Sequence, residues 1–303
     1  MIGFYFSKYY WKCRFSVRVL IGSVLTALGL FVTLVEIADN LYPSLTGSIK
    51  ACFFIFVIAG VLWSFWETRI QSSFSHRLDN RDISIEVRVA DMFKVRGEYV
   101  ISSNTTFDTD LGKNFISTKS TQGQFTVKYY DDIGHLDKDL EDALKDQQSN
   151  VDVSKTKGKN KKYPVGTVAK ITAKNQTSYF LALAEINDHG NTKATYDDLK
   201  TALAKLWDFL INRGNMEPII VPALGSGFSR INQKREDLIH EIIDSFVAAC
   251  SAGKFCEKLI LVVHPKDLTS CDINLGELDK YIEHVCKYTM HKTETLGVGI
   301  GII

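Results

Sequence analysis

The sequence has almost no surplus of charge, with 36 basic and 35 acidic residues and a formal net charge of +1. Proteins that bind nucleic acid through its phosphates need a basic surface. The balance of charge therefore argues against nucleic acid as a partner. A local bias stands at the N-terminus, where the first eighteen residues contain four basic residues and no acidic one: Lys8, Lys12, Arg14 and Arg18.

The sequence also lacks motifs for metal, redox and phosphoryl-transfer chemistry. Its six cysteines are scattered and form no Cys-x-x-Cys pair, which argues against a zinc site or a disulfide framework and favours reduced thiols in a cytosolic compartment. No Gly-Lys-Ser/Thr element occurs, which argues against a nucleoside-phosphate kinase. We predict no metal, no cofactor and no catalytic residue.

Long apolar runs are present near the N-terminus. No charged residue occurs from Val19 to Val35, and a second apolar run extends from Ala51 to Trp66. Each is about the shortest run that crosses a hydrocarbon core roughly 30 Å thick. We predict two transmembrane helices within residues 17–68, at about 18–36 and 49–66, with a buried core hairpin as the alternative. A cleaved signal peptide fits neither the length of the first run nor the presence of the second.

The flanks of the two runs predict their orientation. Residues 1–16 are basic, and the connection from Glu36 to Ile49 has no Lys or Arg. The far flank is basic again, with Arg69, His76, Arg77 and Arg81. The positive-inside rule then places both termini in the cytoplasm of a multi-pass protein of the inner or plasma membrane. Small residues such as Gly22 and Gly29 let such helices pack closely, within the hairpin or between subunits.

The rest of the chain alternates between strand and helix patterns. We predict a linker or juxtamembrane helix at 69–81, a ligand-binding domain at 82–290 and an apolar tail at 291–303. The predicted strands are Ile83–Val89, Glu98–Ser102, Gly123–Tyr130, Thr167–Ala173, Tyr179–Ile186, Pro218–Val221 and Lys258–Val263. The predicted helices are Leu136–Gln148, Thr195–Asn212, Asn232 to about Ala252, and Leu275–Lys287. This alternation predicts an α/β domain with a mixed sheet between helical layers.

Two segments of the predicted domain have unusual composition. Ser154–Lys162 contains five lysines in nine residues, which is typical of a solvated loop, with a phosphate-binding arm as the alternative. Pro218–Val221 leads into Pro222-Ala223-Leu224-Gly225-Ser226-Gly227-Phe228-Ser229-Arg230. Gly225 and Gly227 let the backbone approach phosphate oxygens without a Cβ in the way, although a purely structural turn is the alternative.

These segments together resemble a macro domain, the ADP-ribose-binding α/β/α module, in the form found in membrane-anchored effectors of Thoeris anti-phage defence. The resemblance covers roughly residues 82–287. It depends on Val89–Phe93, Tyr99–Asn104, Ser120–Phe125 and Leu224–Phe228. Tyr163–Thr167 and the long helix containing Trp207 also fit the membrane-anchored subgroup.

The resemblance implies a role for each of these stretches. Asp91 would contact adenine, with a capping role as the alternative. Ser120–Phe125 and Leu224–Phe228 would form the two phosphate loops, and Asn104 would bind the distal ribose or hold its own strand end. Arg230 would bind phosphate or lie at the solvent edge. The predicted ligand-binding residues are Asp91, Met92, Phe93, Asn104, Ser120, Gly123, Gln124, Phe125, Leu224, Gly225, Ser226, Gly227, Phe228 and Arg230.

Departures from the macro-domain pattern favour a modified ligand. Asn104 stands where macro hydrolases have two asparagines, the first loop has Ser120 and Gln122 in place of a glycine string, and an insertion separates Tyr130 from Tyr163. The resemblance implies a membrane effector that binds an ADP-ribose derivative, such as histidine-ADP-ribose, made by a TIR-domain enzyme. Binding would drive homo-oligomerisation, membrane disruption and growth arrest. A membrane-tethered ADP-ribosyl hydrolase and a scaffold for ADP-ribosylated proteins are the alternatives.

Overall fold

A computed structural model describes residues 17–41, 57–58, 60–63, 73–79, 81–111, 115–225, 231–265, 267–270 and 273–297. The chain divides into two units, residues 1–71 and residues 72–303. The first predicted transmembrane run and part of the second lie in the described portion of the first unit. Residues 291–297 of the predicted C-terminal tail are helical, and residues 298–303 lie outside the described residues.

The first unit contains a long helix, α1, from Val17 to Leu41. Most of its described large aliphatic side chains are exposed, including Leu25, Leu30 and Leu34. The window Val24–Leu41 is long and apolar enough to cross a membrane. Thr26 and Thr33 donate their hydroxyls to the carbonyl oxygens of Gly22 and Gly29, at 2.9 and 3.0 Å. The described residues of the second apolar run, 57–58 and 60–63, are helical, and the rest of that prediction lies outside the described residues.

The second unit is built on one mixed sheet. Its strands are β1 (Ser73–Arg77), β2 (Ser84–Val89), β3 (Glu98–Asn104), β6 (Val168–Ala173), β7 (Gln176–Ile186), β8 (Thr192–Lys193), β9 (Ile219–Pro222) and β10 (Lys258–Val263). The order is β1-β2-β10-β9-β3-β7-β6, with β8 paired to β7. The five central strands are parallel, and β1, β6 and β8 pair antiparallel to their neighbours. A separate hairpin joins β4 (Asn150–Val151) to β5 (Lys161–Lys162).

Helices cover both faces of this sheet. They are α2 (Thr121–Tyr129), α3 (Ile133–Leu144), α4 (Tyr196–Arg213), α5 (Arg235–Cys250) and α6 (Leu275–Gly297), with short 3-10 helices at Met92–Lys94 and Asp267–Ser270. Consecutive residues of a strand point to opposite faces. On β7, Tyr179 packs against Phe209 of α4 at 6.1 Å between ring centroids, and Phe180 packs against Phe125 of α2 at 5.3 Å. Therefore α2 and α4 lie on opposite faces, and the predicted three-layer α/β/α architecture is confirmed.

Local sequence explains the helices that cover the sheet. In α3 the apolar residues Leu136, Leu140 and Leu144 recur every four positions, and all three are buried. A capping box begins α4, where Thr195 accepts from the Asp198 backbone N–H and the Asp198 side chain accepts from the Thr195 backbone N–H. The side chain of Trp207 in α4 donates to Ser245 Oγ of α5 at 3.0 Å, which holds these two helices together.

Two sequence-based predictions of elements are wrong. The prediction of a strand at Gly123–Tyr130 is one of them, because residues 121–129 form α2. Ser120 caps this helix by accepting from the Gly123 backbone N–H at 3.0 Å. The predicted linker or helix at 69–81 contains β1, because residues 73–77 pair with β2 and extend the sheet.

The sheet opens at one point along its carboxyl edge. Strands β3 and β9 are paired only at Glu98–Ile219 and Tyr99–Ile220, near the starts of both strands. The register between β3 and β7 also shifts between Ser103 and Asn104. Ligands of α/β proteins bind beyond the carboxyl ends of parallel strands, where neighbouring strands diverge. This is the position of the cleft described next.

Candidate functional site

A cleft of about 270 Å³ lies at the carboxyl ends of the parallel strands. Its lining comes from the ends of β2, β10, β9, β3 and β7 in their spatial order, together with the start of α2 and of α5. Adjacent strands are about 4.8 Å apart, so the ends of β2 and β3, three strands apart, are separated by about 14 Å. The cleft is therefore elongated across the sheet.

Asp91, Met92 and Phe93 line the cleft beyond the end of β2. Asp91 caps the 3-10 helix, because its Oδ1 accepts from the Phe93 backbone N–H at 3.1 Å. The capping alternative raised for Asp91 is thus observed, and it uses one of the two carboxylate oxygens. Phe93 lies edge-on to Tyr99 at 5.5 Å between centroids, with Lys128 Nζ 5.4 Å from its ring.

Leu224 and Gly225 line the centre of the cleft, after β9. Gly225 has φ +80°, and a Cβ at this position would lie 2.4 Å from Cδ1 of Ile231. The turn therefore needs glycine both for its left-handed backbone and for its contact with Ile231. Ser226, Gly227, Phe228 and Arg230, the remaining predicted residues of this loop, lie outside the described residues, and their roles stay predictions.

The amino end of α2 faces the cleft from the opposite wall. Ser117, Ser120, Thr121, Gln122 and Gln124 line the cleft here. The Ser120 hydroxyl donates to the Ser117 carbonyl oxygen at 2.6 Å, and the Gln124 amide donates to the Lys119 carbonyl oxygen at 2.9 Å. The first backbone N–H groups of a helix have no partner within the helix and carry partial positive charge. This end of α2 is suited to an anion.

Asn104 lines the cleft at the end of β3. Its Oδ1 accepts from the Thr106 and Asp108 backbone N–H groups, both at 3.1 Å. Because both partners are N–H donors, the orientation of the carboxamide is fixed with oxygen inward. Its Nδ2 is buried and has no hydrogen-bond partner among the described residues. A buried amide donor without a partner costs free energy unless a ligand or water accepts from it.

Two predicted site residues lie away from the cleft. Phe125 is 0% exposed, and its ring packs within the core against Phe180 and Tyr129. Gly123 is buried in α2, where a Cβ would lie 2.1 Å from the Ser117 carbonyl oxygen. These two residues pack α2 onto the preceding loop and the sheet. Neither faces the space that a ligand would occupy.

The structure also adds residues that sequence reasoning missed. Arg235, the first residue of α5, lines the cleft and forms an ion pair with Asp267 at 2.9 Å. His264 follows β10 and lines the same region. A cation in the first turn of a helix opposes the helix dipole, so Arg235 at the start of the predicted helix was a signal of function. His264 carries no comparable signal in the sequence.

The far end of the cleft lies beyond Asn104, towards β7 and β8. Ala184, Gly190, Thr192, Phe115 and Ile116 line this end of the cleft. Phe115 and Ile116 also form a small apolar cluster with Ile186. The space past Asn104 is therefore bounded by small and apolar residues.

The lysine-rich segment is only partly solvated. Lys155 is buried and forms an ion pair with Asp108, and Lys159 pairs with Asp137 at 2.5 Å. The prediction of a solvated loop holds for Lys157 and Lys161, which are exposed, and is wrong for Lys155. Lys155 does not line the cleft, so the alternative of a phosphate-binding arm does not describe its position.

The described lining of the cleft combines amide and hydroxyl groups with the side chains of Asp91, Arg235, His264 and Asp267. Burial raises the pKa of Tyr99, with further contributions from Tyr129 and the charge of Asp91, so the phenol beneath Phe93 is neutral at physiological pH. Within the described residues, no group of three or more His, Cys, Asp or Glu side chains is placed to hold a metal ion. The arrangement supports recognition of an anion through amides.

Several solved structures are similar to this chain. The macrodomain of Oceanobacillus iheyensis with MES bound is 11% identical, with a TM-score of 0.47, and the match covers 70% of this chain and 100% of that one. The same macrodomain with ADP is 12% identical, with a TM-score of 0.46 and coverage of 69% and 97%. A leucine aminopeptidase mutant from tomato is 15% identical, with a TM-score of 0.41 and coverage of 69% and 38%.

Comparison of sequences gives a curated relative and a family. Thoeris protein ThsA from Bacillus amyloliquefaciens (strain Y2) is 26% identical over 152 residues, which are 48% of this chain and 50% of the relative. The chain thus matches about half the length of that relative. A family model described as the macro domain of Thoeris protein ThsA matches residues 85–264, more than half of the chain. The chain therefore belongs to the macro-domain family of Thoeris protein ThsA.

Proposed function

We propose that this protein is a membrane effector of Thoeris anti-phage defence whose macro domain binds an ADP-ribose derivative in the cleft. The observation that carries the proposal is Asn104, a residue that lines the cleft and whose buried Nδ2 has no hydrogen-bond partner among the described residues. A hydroxyl oxygen of a ribose is an acceptor of the right kind for this donor. Membership of the ThsA macro-domain family supports the same assignment.

The order of the strands gives the proposed order of the ligand groups. Asp91 lies beyond the end of β2, the glycine turn follows β9, and Asn104 is the last residue of β3. We place adenine beside Asp91, where the carboxylate oxygen not used in capping accepts from the exocyclic amine. The diphosphate then lies between the glycine turn and the start of α2, and the distal ribose reaches Asn104.

Two features of the centre of the cleft support a diphosphate there. The first is the amino end of α2, where Ser120 accepts from the Gly123 backbone N–H. The first backbone N–H groups of a helix have no partner within the helix, and such helix ends bind phosphate. Arg235 is the second feature, because its guanidinium, now paired with Asp267, is able to form charge-assisted hydrogen bonds with phosphate oxygens. We propose the same role for Arg230 and backbone contacts for Ser226, Gly227 and Phe228.

We propose that the end of the cleft past Asn104 takes a part of the ligand that ADP-ribose lacks. Ala184, Gly190, Thr192, Phe115 and Ile116 line this end. We propose that it holds a group joined to the distal ribose, as in an amino-acid conjugate such as histidine-ADP-ribose. A TIR-domain enzyme would supply this signal, and the effector itself would bind the signal and leave it unchanged.

We propose that α1 anchors the chain in the membrane. Its aliphatic side chains are exposed, and its two threonine hydroxyls donate to carbonyl oxygens of their own helix. A helix with its polar groups satisfied internally and its apolar side chains exposed is suited to lipid. The run at 49–66 would form the second span, with both termini in the cytoplasm. Ligand binding would then favour a self-associated state in which the spans disrupt the bilayer and growth stops.

Titration calorimetry of the full-length protein in detergent tests the ligand. The three titrants are ADP, ADP-ribose and histidine-ADP-ribose. We expect the conjugate to bind most tightly, and we expect Asn104→Ala to weaken its binding about tenfold, the effect of one lost hydrogen bond of about 1.4 kcal/mol. Absence of binding by all three titrants would show that the proposed function is wrong.

Recovery of the ligand after the titration separates the alternatives. We expect the conjugate to be chromatographically intact. Release of free ADP-ribose would instead indicate a hydrolase. Mass photometry of the same samples should show larger assemblies only with the conjugate. Tight binding to ADP-ribosylated proteins without a change in assembly or membrane permeability would indicate a scaffold.

A further inference from the structure

The carboxamide of Asn104 is held from behind by a buried polar network. Thr106 Oγ1 lies 2.9 Å from Asn104 Oδ1 and 2.5 Å from Asp108 Oδ2, so its single proton is shared between these two acceptors. Asn104, Thr106 and Asp108 are each at most 3% exposed. The turn that joins them contains Phe107 with φ +47°, a strained conformation for a non-glycine residue that surrounding contacts must maintain.

Lys155 supplies the cation of this network from the lysine-rich insertion. Its ammonium group donates to Thr106 Oγ1 at 2.8 Å, to the Lys159 carbonyl oxygen at 2.6 Å and to Asp108 Oδ2. These three contacts use all three of its protons. The side chains of Lys155 and Asp108 are 3% and 2% exposed, so this ion pair is excluded from solvent.

The insertion also closes over Asp108 with its backbone. The Lys159 backbone N–H donates to Asp108 Oδ1 at 2.6 Å. Each oxygen of the Asp108 carboxylate therefore has a donor from residues 155–159. Removal of the ammonium group would leave a buried carboxylate with part of its charge uncompensated, and such sites rearrange or admit water.

The same network reaches the amino end of α2. The Gln122 side-chain amide donates to the Asp108 carbonyl oxygen at 2.6 Å, and its Oε1 accepts from Ser103 Oγ at 3.2 Å. Gln122 and Ser103 both line the cleft. The position of Asp108 thus affects two walls of the cleft.

A second contact of the insertion reaches the far wall of the cleft. Asp188, in the turn between β7 and β8, accepts from the backbone N–H groups of Thr156 and Lys157 at 3.0 and 3.1 Å, and from the Thr156 hydroxyl at 2.7 Å. Gly190 and Thr192 of the following residues line the cleft. The insertion is therefore bonded to the segments on both sides of the Asn104 end.

We infer that Lys155 is a positioning residue for ligand recognition. Through Asp108 and Thr106 it fixes the carboxamide of Asn104 with its N–H donors towards the cleft, and the insertion thereby sets the affinity for the ligand group that Asn104 contacts. Lys155 itself does not line the cleft. This inference rests on the proposed function, since it concerns how the same cleft holds an ADP-ribose derivative.

A double-mutant cycle tests the inference in the full-length protein. Calorimetry with histidine-ADP-ribose is carried out on the wild type, Lys155→Met, Asn104→Ala and the double variant. We expect each single substitution to weaken binding about tenfold, as for one lost hydrogen bond. We expect the double variant to bind no more weakly than Asn104→Ala, because Lys155 then has no carboxamide to position.

The controls separate positioning from a general structural effect. Lys157→Met removes the same charge from an exposed lysine of the same loop and should leave affinity unchanged. If Lys155→Met unfolds, the pair Lys155→Met with Asp108→Asn replaces it in the cycle, because that pair leaves no buried charge.

The outcomes are distinct. Independent losses that multiply to about a hundredfold in the double variant would overturn the inference and leave the proposed function standing. A Lys155→Met variant that binds with wild-type affinity would also overturn the inference and leave the proposed function standing. A wild-type protein that binds none of ADP, ADP-ribose and histidine-ADP-ribose overturns the proposed function, and the inference falls with it.

Discussion

At the scale of single residues, two side chains that line the cleft each use one polar atom to hold local structure. The other polar atom is left for a ligand. Asp91 caps a 3-10 helix with one carboxylate oxygen, and Asn104 receives three donors on its oxygen while its nitrogen is unpaired among the described residues. From the sequence, a local structural role and ligand binding were alternative roles for each of these two residues. In the structure they are compatible, because carboxylate and carboxamide groups have two polar atoms each.

Gly225→Ala should weaken both folding and ligand binding. The substitution places a Cβ at φ +80° against Ile231, so we expect a loss of about 1–2 kcal/mol in the free energy of unfolding, measured in urea. We also expect calorimetry to show weaker binding of the conjugate, because the turn backs the proposed diphosphate site.

Gly253→Ala is the matched control for this prediction. Gly253 has φ +149° and no atom within 4 Å of a Cβ, and it lies outside the cleft. We expect the control to lose stability and to keep its affinity. Equal affinities for wild type and Gly225→Ala would contradict a diphosphate at this turn.

At the scale of elements, α1 and α2 show how much the surroundings of a segment matter. The apolar run of α1 is sufficient to predict a long helix, since composition and length determine it. The sequence of α2 predicts a strand. The segment forms a helix because Ser120 caps its start and Phe125 packs against Phe180. Propensity over nine residues is too weak to oppose such packing.

Arginine substitutions in α1 test whether this helix holds the chain in a membrane. Leu25→Arg with Leu34→Arg places two charges within the apolar run, each costing about 2.5–3.5 kcal/mol near the centre of a bilayer. We expect less protein in the membrane fraction after an alkaline carbonate wash. Leu41→Arg, at the end of the helix, is the control and should remain in that fraction. Full retention of the double variant would show that α1 is not the anchor.

At the scale of the whole molecule, buried thiols link stability to pH. Burial raises the pKa of Cys256 and of Cys286 from 9.0 to about 12. Burial also raises the pKa of Cys250. Between pH 9 and 12 the unfolded chain releases these protons while the folded chain retains them. The stabilisation is therefore complete below about pH 9 and is lost as the pH rises towards 12.

Denaturation at alkaline pH tests this linkage. We expect the free energy of unfolding to fall by about 1 kcal/mol per thiol for each pH unit above 9. Urea titrations at several pH values measure it. A variant with Cys256→Ala and Cys286→Ala should show a shallower decline. A free energy of unfolding that stays constant up to pH 11 would contradict the proposed ionisation.

The sequence alone determined which segments are apolar, which alternate and which contain glycine. These features are local, and they sufficed to predict α1, the strands β2, β3, β6, β7 and β10, and the mixed sheet between helical layers. The glycine turn after a predicted strand indicated Gly225, and the resemblance to macro domains indicated Asp91, Asn104 and Ser120. All four line the cleft.

Only the tertiary structure decided which side of each segment faces the cleft. Phe125 and Gly123 are near Ser120 in the chain and face the core, because the helix rotates successive side chains by about 100°. Arg235 and His264 reach the cleft from distant elements, and Lys155 reaches Asp108 across 47 residues. Contacts of this kind depend on how the elements pack. The charge of Arg235 at a helix start is visible in the sequence, but its place in the cleft does not follow from the sequence.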